Sequence, residues 1–123
     1  MRGVTLRIED VVIDCADPAR VGRFWAELTG ATLEGPDEDG NHWLDADESG
    51  LQLIFVPVPD AKASKNRVHI DLRPGDQAAE VERALGLGAR HVDIGQGDVT
   101  WVVLADPEGN EFCILRAQPQ EGS

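Results

Sequence analysis

The sequence predicts an α+β chain made of two βαβββ modules. Three observations predict it. The periodicities run strand, helix, strand, strand, strand, and then repeat in the same order. Identities recur between the two halves at an offset of 59 residues. The length, 123 residues, suits one domain, and 41% hydrophobic residues can supply its core.

Residues 8–15 alternate, with Val11, Ile13 and Cys15 on one face and Asp10, Val12 and Asp14 on the other. Asp17-Pro18 then reads as helix N-cap and first helical residue. Val21, Phe24, Trp25 and Leu28 follow as one apolar helical stripe, more suited to a core than to stacking a cofactor, and Gly30 closes it with a left-handed cap. Short strands are expected over 31–34, 41–46 and 51–56, separated by polar turns at 37–40 and 47–50. Residues 57–66 read as a linker. The pattern restarts over 67–72, and Asp76 caps a helix carrying Ala78, Val81, Ala84 and Leu85 up to Gly88. Strands over 90–94, 99–105 and 111–115 complete the second set, and 116–123 form a polar tail. The expected organisation is one domain, 1–123, with module one over 8–56, the linker over 57–66 and module two over 67–115.

Subtraction exposes the duplication. At 59, Asp17 falls on Asp76, Asp47 on Asp106 and Gly50 on Gly109, with apolar matches Val11/Ile70, Ile13/Leu72, Leu53/Phe112 and Phe55/Ile114. Trp43/Trp101 and Gly30/Gly88 match at 58. Side by side, two such modules are expected to curve their sheets into a half-open barrel around a cavity. The helix-facing set is then Val11, Ile13, Cys15, Ile70, Leu72, Phe112 and Ile114. The opposite parity gives a cavity-facing set: Asp10, Val12, Asp14, Gln52, Ile54, His69, Asp71, Glu111 and Cys113. So many polar groups at half-buried positions form the pattern of a ligand site.

Charge narrows the function. Eleven Lys and Arg stand against 23 Asp and Glu, a formal net charge of −12, which repels phosphate backbones and excludes nucleic acid as a partner. No apolar run approaches the ~20 residues of a membrane span. The first residues lack the apolar stretch of a signal peptide, and two cysteines are too few for a disulfide framework, so a cytoplasmic protein is expected. Cys15 and Cys113 fall on opposite sheet faces and are not expected to pair. Gly-rich phosphate loops, nucleophile elbows and Cys-x-x-Cys pairs are absent from the sequence, which removes nucleotide, serine-hydrolase and dithiol-redox chemistry.

Asp10-x6-Asp17-x6-Phe24-Trp25 followed by Leu28-Thr29-Gly30 resembles the opening of the glyoxalase/bleomycin-resistance/extradiol-dioxygenase group, the vicinal oxygen chelate superfamily. Val68-His69-Ile70-Asp71-Leu72 resembles the start of its second module, and Asp106-Pro107-Glu108-Gly109-Asn110-Glu111-Phe112 its closing hairpin. The resemblance spans residues 8–115 and is closest to small glyoxalase-like proteins ending in Asn-Glu-Phe-Cys. It implies metal ligands on the first and last strands of each module. Carried over, those slots are Asp10, His69, Ile54 and Cys113, so the chain departs from the pattern at the last two. Glu111 lies two residues before Cys113, on the same strand face about 6.5–7 Å away.

The resemblance implies two functions of different kinds. One is a small-molecule-binding protein without a complete metal site, similar to the drug-sequestering members. Asp10, Asp14, Gln52, Asp71, Trp43 and Trp101 would then hold a cationic or aromatic ligand. The other is a lyase or isomerase in which a divalent metal on His69, Asp10 and Glu111 or Cys113 polarises vicinal oxygens, with Glu111 carrying the proton. A third option is metal-free acid–base work by Glu111 and His69. The departures at Ile54 and Cys113 rank binding first. Blander roles stand beside these: His69 as a sheet histidine bonded to Asp10, Asp71 or Glu111, Cys113 as a buried small hydrophobe, Trp43 and Trp101 as core or pocket wall, and His42 and His91 as solvent-facing residues. The superfamily usually buries remaining apolar surface against a second copy, so a homodimer is expected.

Overall fold

Alternation and helical stripe become two four-stranded mixed sheets, each with one helix, in the computed structural model, which describes residues 8–45 and 50–117. The expected end of a strand at Ala46, most of the 47–50 turn with its Asp47/Asp106 match, and the tail from Gln118 onward lie outside the described residues. The chain divides into two compact units, Met1–Ala61 and Lys62–Ser123.

Unit 1 contains β1 (Asp10–Cys15), α1 (Pro18–Thr29), β2 (Leu33–Glu34), β3 (His42–Leu44) and β4 (Gln52–Pro57), with sheet order β1-β4-β3-β2. Asp17 caps α1 by accepting the Arg20 N–H at 3.2 Å, Pro18 needs no donor in the first turn, and Gly30 closes the helix at φ +83°. The stripe Val21, Phe24, Trp25 and Leu28 is buried, with Phe24 and Trp25 edge to face at 5.7 Å. Gly22 lets the helix approach the sheet closely: a Cβ there would fall 2.8 Å from Leu33 Cδ1 and 3.3 Å from Phe55 Cδ2. His42, expected in solvent, is half-buried, with its Nδ1–H donated to the Glu34 carbonyl at 3.1 Å.

Unit 2 contains β5 (Ile70–Leu72), α2 (Gln77–Leu87), β6 (Arg90–His91), β7 (Val102–Ala105) and β8 (Glu111–Ile114), in the order β5-β8-β7-β6. Asp76 accepts the Ala79 N–H at 3.1 Å, and Gly88 ends α2 at φ +118°. α2 has 11 residues against 12 in α1, which is why the closing glycines match at 58 and the capping aspartates at 59. Its buried residues are Val81 and Ala84, while Leu85 is half-buried and Ala78 exposed. Phe112, Leu104 and Ile114 form the centre of this unit's core.

The ladders carry the duplication. β1 pairs parallel with β4 and β5 with β8, and in both pairs each residue faces the one 42 positions later. The tryptophan match does not survive. Trp43 lies in β3 opposite Ile54, and the 59-offset counterpart of Ile54, Cys113, lies opposite Val103. Val103 therefore holds the position of Trp43, and Trp101 precedes β7 with 39% of its surface exposed. Both cysteines are buried thiols that take part in no disulfide. No helix among the described residues is long and apolar enough to cross a membrane.

Candidate functional site

Register defines the face of unit 1 turned away from α1. Directly opposed residues share a face, so Asp10 and Gln52 form one row, Val12, Ile54, Trp43 and Glu34 the next, and Asp14 and Val56 a third. Val12 is 53% exposed, Trp43, Ile54, Gln52 and Asp10 are half-buried, and Asp14 is exposed. The apolar and aromatic run of Val12, Ile54 and Trp43 thus ends at Glu34 and is flanked on β1 by the carboxylates of Asp10 and Asp14. This arrangement suits a flat or aliphatic group carrying positive charge.

In unit 2 the corresponding face carries Asp71, Cys113 and Val103 in one row and Glu111, Ala105 and Arg90 in the next. A turn fixes where β8 begins, and hence where Glu111 stands. The Asp106 carboxylate accepts the N–H of Glu108 at 2.9 Å, the N–H of Asn110 at 3.0 Å and the Asn110 Nδ2 at 3.0 Å. The Asp106 carbonyl takes the Gly109 N–H at 2.9 Å, and Gly109 adopts φ +91°, which an L side chain would strain. The same bonds recur at Asp37–Asn41: Asp37 accepts Asp39 N–H and Asn41 N–H, each at 2.9 Å, and Asn41 Nδ2 at 3.1 Å, with Gly40 at φ +84°. One Asp-x-x-Gly-Asn turn launches β8, and a copy launches β3.

Glu111 is 8% exposed. Lys62 Nζ lies 3.1 Å from its Oε1 and 3.0 Å from its Oε2, and Asn66 donates its backbone N–H to Oε2 at 3.1 Å. Asn66 Nδ2 also donates to the Glu111 carbonyl at 3.1 Å, so two hydrogen bonds tie Asn66 to one residue. Burial pushes the Glu111 carboxyl upward, but the Lys62 ammonium and the N–H groups of Glu111 and Asn66 outweigh it and hold the group below its ordinary value.

His69 precedes β5 and is exposed. Within unit 2 its partner is neither Asp71 nor Glu111, two of the residues expected; Lys65 Nζ stands 3.0 Å from its Nε2 and donates as well to the Asn66 carbonyl at 3.1 Å. Cys113 is 3% exposed, and burial first, then the charge and hydrogen bond of Asp71, push its thiol up, so it remains a protonated donor to Asp71.

The slots that would hold a divalent metal do not fit one as they stand. Ile54 offers no donor atom, the Cys113 thiol is engaged with Asp71, and the Glu111 carboxylate is paired with Lys62 and accepts from Asn66. In unit 2 His69 is engaged by Lys65. Among the described residues, no three His, Cys, Asp or Glu side chains gather as a group that could hold a metal. Sequence reasoning missed Lys62, Lys65 and Asn66, which it left in a linker. A signal existed: Lys62 and Lys65 are the only two lysines of the chain, three residues apart.

The model of the family described as Glyoxalase-like domain matches residues 10–115. The fold is similar to that of a possible glyoxalase from Bacillus cereus, 14% identical over 90% of this chain and 99% of that one, with a TM-score of 0.69. A glyoxalase/bleomycin resistance protein/dioxygenase family enzyme from Burkholderia phytofirmans is 18% identical over 89% and 98%, with a TM-score of 0.66. The fosfomycin resistance protein FosX from Listeria monocytogenes, solved with Mn(II) and a dihydroxypropylphosphonic acid, is 13% identical over 94% and 93%, with a TM-score of 0.68. At these identities the likeness is one of fold alone. No curated protein matches the sequence.

Proposed function

The chain belongs to the glyoxalase-like domain family, and from that premise we propose that it binds a small organic molecule, cationic or aromatic, without a complete metal site. The observation that carries this reading is the Lys62–Glu111 ion pair, which meets with an ammonium the carboxylate of β8 itself, two residues before the family's last-strand ligand slot. The unit 1 face supports the ligand class: Asp10 and Asp14 flank the apolar row of Val12, Ile54 and Trp43, and a net charge of −12 draws cations toward it. Gln52 beside Asp10 adds a neutral hydrogen-bonding group. In the same reading the protein acts as a homodimer.

Calorimetry tests it. Mn, Ni, Zn and Mg are expected to show no tight stoichiometric site. A quaternary aromatic cation such as N-methylquinolinium is expected to raise the melting temperature by mass action, and Trp43→Ala or Asp14→Asn to reduce that gain. Moving from about 0.1 M to about 1 M salt shortens the screening length from roughly 10 Å to roughly 3 Å and should weaken the binding. Tight metal binding that Glu111→Gln or His69→Ala abolishes would overturn this reading in favour of the metal-dependent lyase or isomerase.

A further inference from the structure

We infer that segment 62–66 is a strap closed over the unit 2 sheet face turned away from α2, with Glu111 as its latch. Trp43 opposite Ile54 in unit 1 and Val103 opposite Cys113 in unit 2 are matching pairs on that face. The unit 1 pair is half-buried, whereas the unit 2 pair is buried, as are Ala105 and Glu111 of the neighbouring row. The unit 2 side chains are also the smaller ones, valine for tryptophan and cysteine for isoleucine, which leaves room above the strands. Segment 62–66 occupies that room. Lys62 Nζ and the Asn66 N–H reach the Glu111 carboxylate, and Lys62 Cδ lies 3.8 Å from where a Gly109 Cβ would sit. Toward the other row, burial and Asp71 push the Cys113 thiol up, and the Lys65 ammonium is close enough to oppose them. No residue of 62–66 belongs to a helix or strand. Apart from Lys65 on His69, every hydrogen bond and ion pair leaving the segment among the described residues ends on Glu111. A segment held at one residue can open by releasing it, while the β7–β8 ladder stays paired, and opening bares Glu111 and Cys113.

The inference goes beyond the proposed function, which concerns a ligand on unit 1, and it requires no ligand on either face. The two thiols of the chain read the opening. Cys113 lies under the strap, whereas Cys15 is buried on the helix-facing side of unit 1 and is bared by unfolding. The full chain, under native conditions, is exposed to N-ethylmaleimide, and labelling of each cysteine is followed by mass spectrometry after digestion. Amide exchange at Leu104 of β7, paired with a strand on both sides, is followed in parallel. Cys113 is expected to label faster than Cys15. Glu111→Gln, which releases the Lys62 ammonium, should speed Cys113 labelling about tenfold, the worth of one charge-assisted hydrogen bond, while Cys15 labelling and Leu104 exchange change much less. Asn66→Ala removes the bond to the Glu111 carbonyl but leaves β8 and the ion pair in place, and should speed Cys113 labelling by a smaller factor. Three results would each overturn the inference: Cys113 labelling no faster than that of Cys15, labelling unmoved by both variants, or labelling that rises only in step with Leu104 exchange. The last would assign the exposure of Cys113 to unfolding of unit 2 and not to a strap.

Discussion

Asp106→Ala is expected to lower the stability of unit 2 by about 3 kcal/mol or more, and the same change at Asp37 to cost a small fraction of that. Both aspartates accept the same set of donors in the same five-residue turn. They differ in burial: Asp106 is fully buried and Asp37 exposed. Removing the Asp106 carboxylate strands two backbone N–H groups and the Asn110 amide in a place water reaches poorly, and unmet buried donors cost roughly 1–3 kcal/mol each. At Asp37 water takes over the donors. Asp106→Asn should fall between, because it keeps one acceptor oxygen but turns an amide donor toward the Asn110 Nδ2. Urea unfolding of the four proteins decides the matter. Equal losses at the two sites would show that turn geometry, and not desolvation, sets the cost.

This pair of turns also shows what the sequence made legible. Local signals were readable: Asp17-Pro18 and Gly30 bound one helix, Asp76 and Gly88 the other, and alternation assigned Cys15, Phe112 and Ile114 to the helix-facing, buried side. The 59-residue offset reappears as the common 42-residue register of the parallel ladders. Subtraction at that offset tied the Asp106 turn to Asp47 and passed over Asp37, because the copy that forms the same bonds lies 69 residues away on a different connection. Strand ends were overextended. Residues 67–69 carry an alternating pattern, but β5 and its ladder with β8 begin only at Ile70, opposite Phe112. The role of Lys62 was illegible for a simpler reason. Its bond to Glu111 spans 49 residues, and no periodicity within residues 57–66 registers a partner that far away. For the same reason His69 was assigned carboxylate neighbours, when its partner is the lysine four residues before it in that unread segment.

Lys62→Met is expected to destabilise the protein by about 2–3 kcal/mol at pH 7, more than Glu111→Gln, with the double variant close to Glu111→Gln alone. The asymmetry follows from burial. Without Lys62, a carboxylate 8% exposed keeps only the N–H groups of Asn66 and of Glu111 itself and loses its counter-ion, the case in which breaking a buried pair is costly. Without the Glu111 charge, Lys62 keeps its long stem and can turn its ammonium to water, while glutamine oxygen still accepts from Asn66. A coupling of about 1–3 kcal/mol across the double-mutant cycle is the corresponding expectation. Acid gives an independent check. The native carboxyl of Glu111 titrates below its ordinary 4.5, so its contribution is present above that value and is lost as pH falls through the native value. In Lys62→Met both contributions of the ammonium are lost while burial remains, so the native value rises and the ionised group adds less to the stability of the fold. The gap between wild type and Lys62→Met should therefore narrow as pH falls from 7 toward 3.5, when followed by urea midpoints at each pH. A gap that stays constant would assign the effect of Lys62 to its alkyl packing and remove the ion pair from the account of why Glu111 is committed within unit 2.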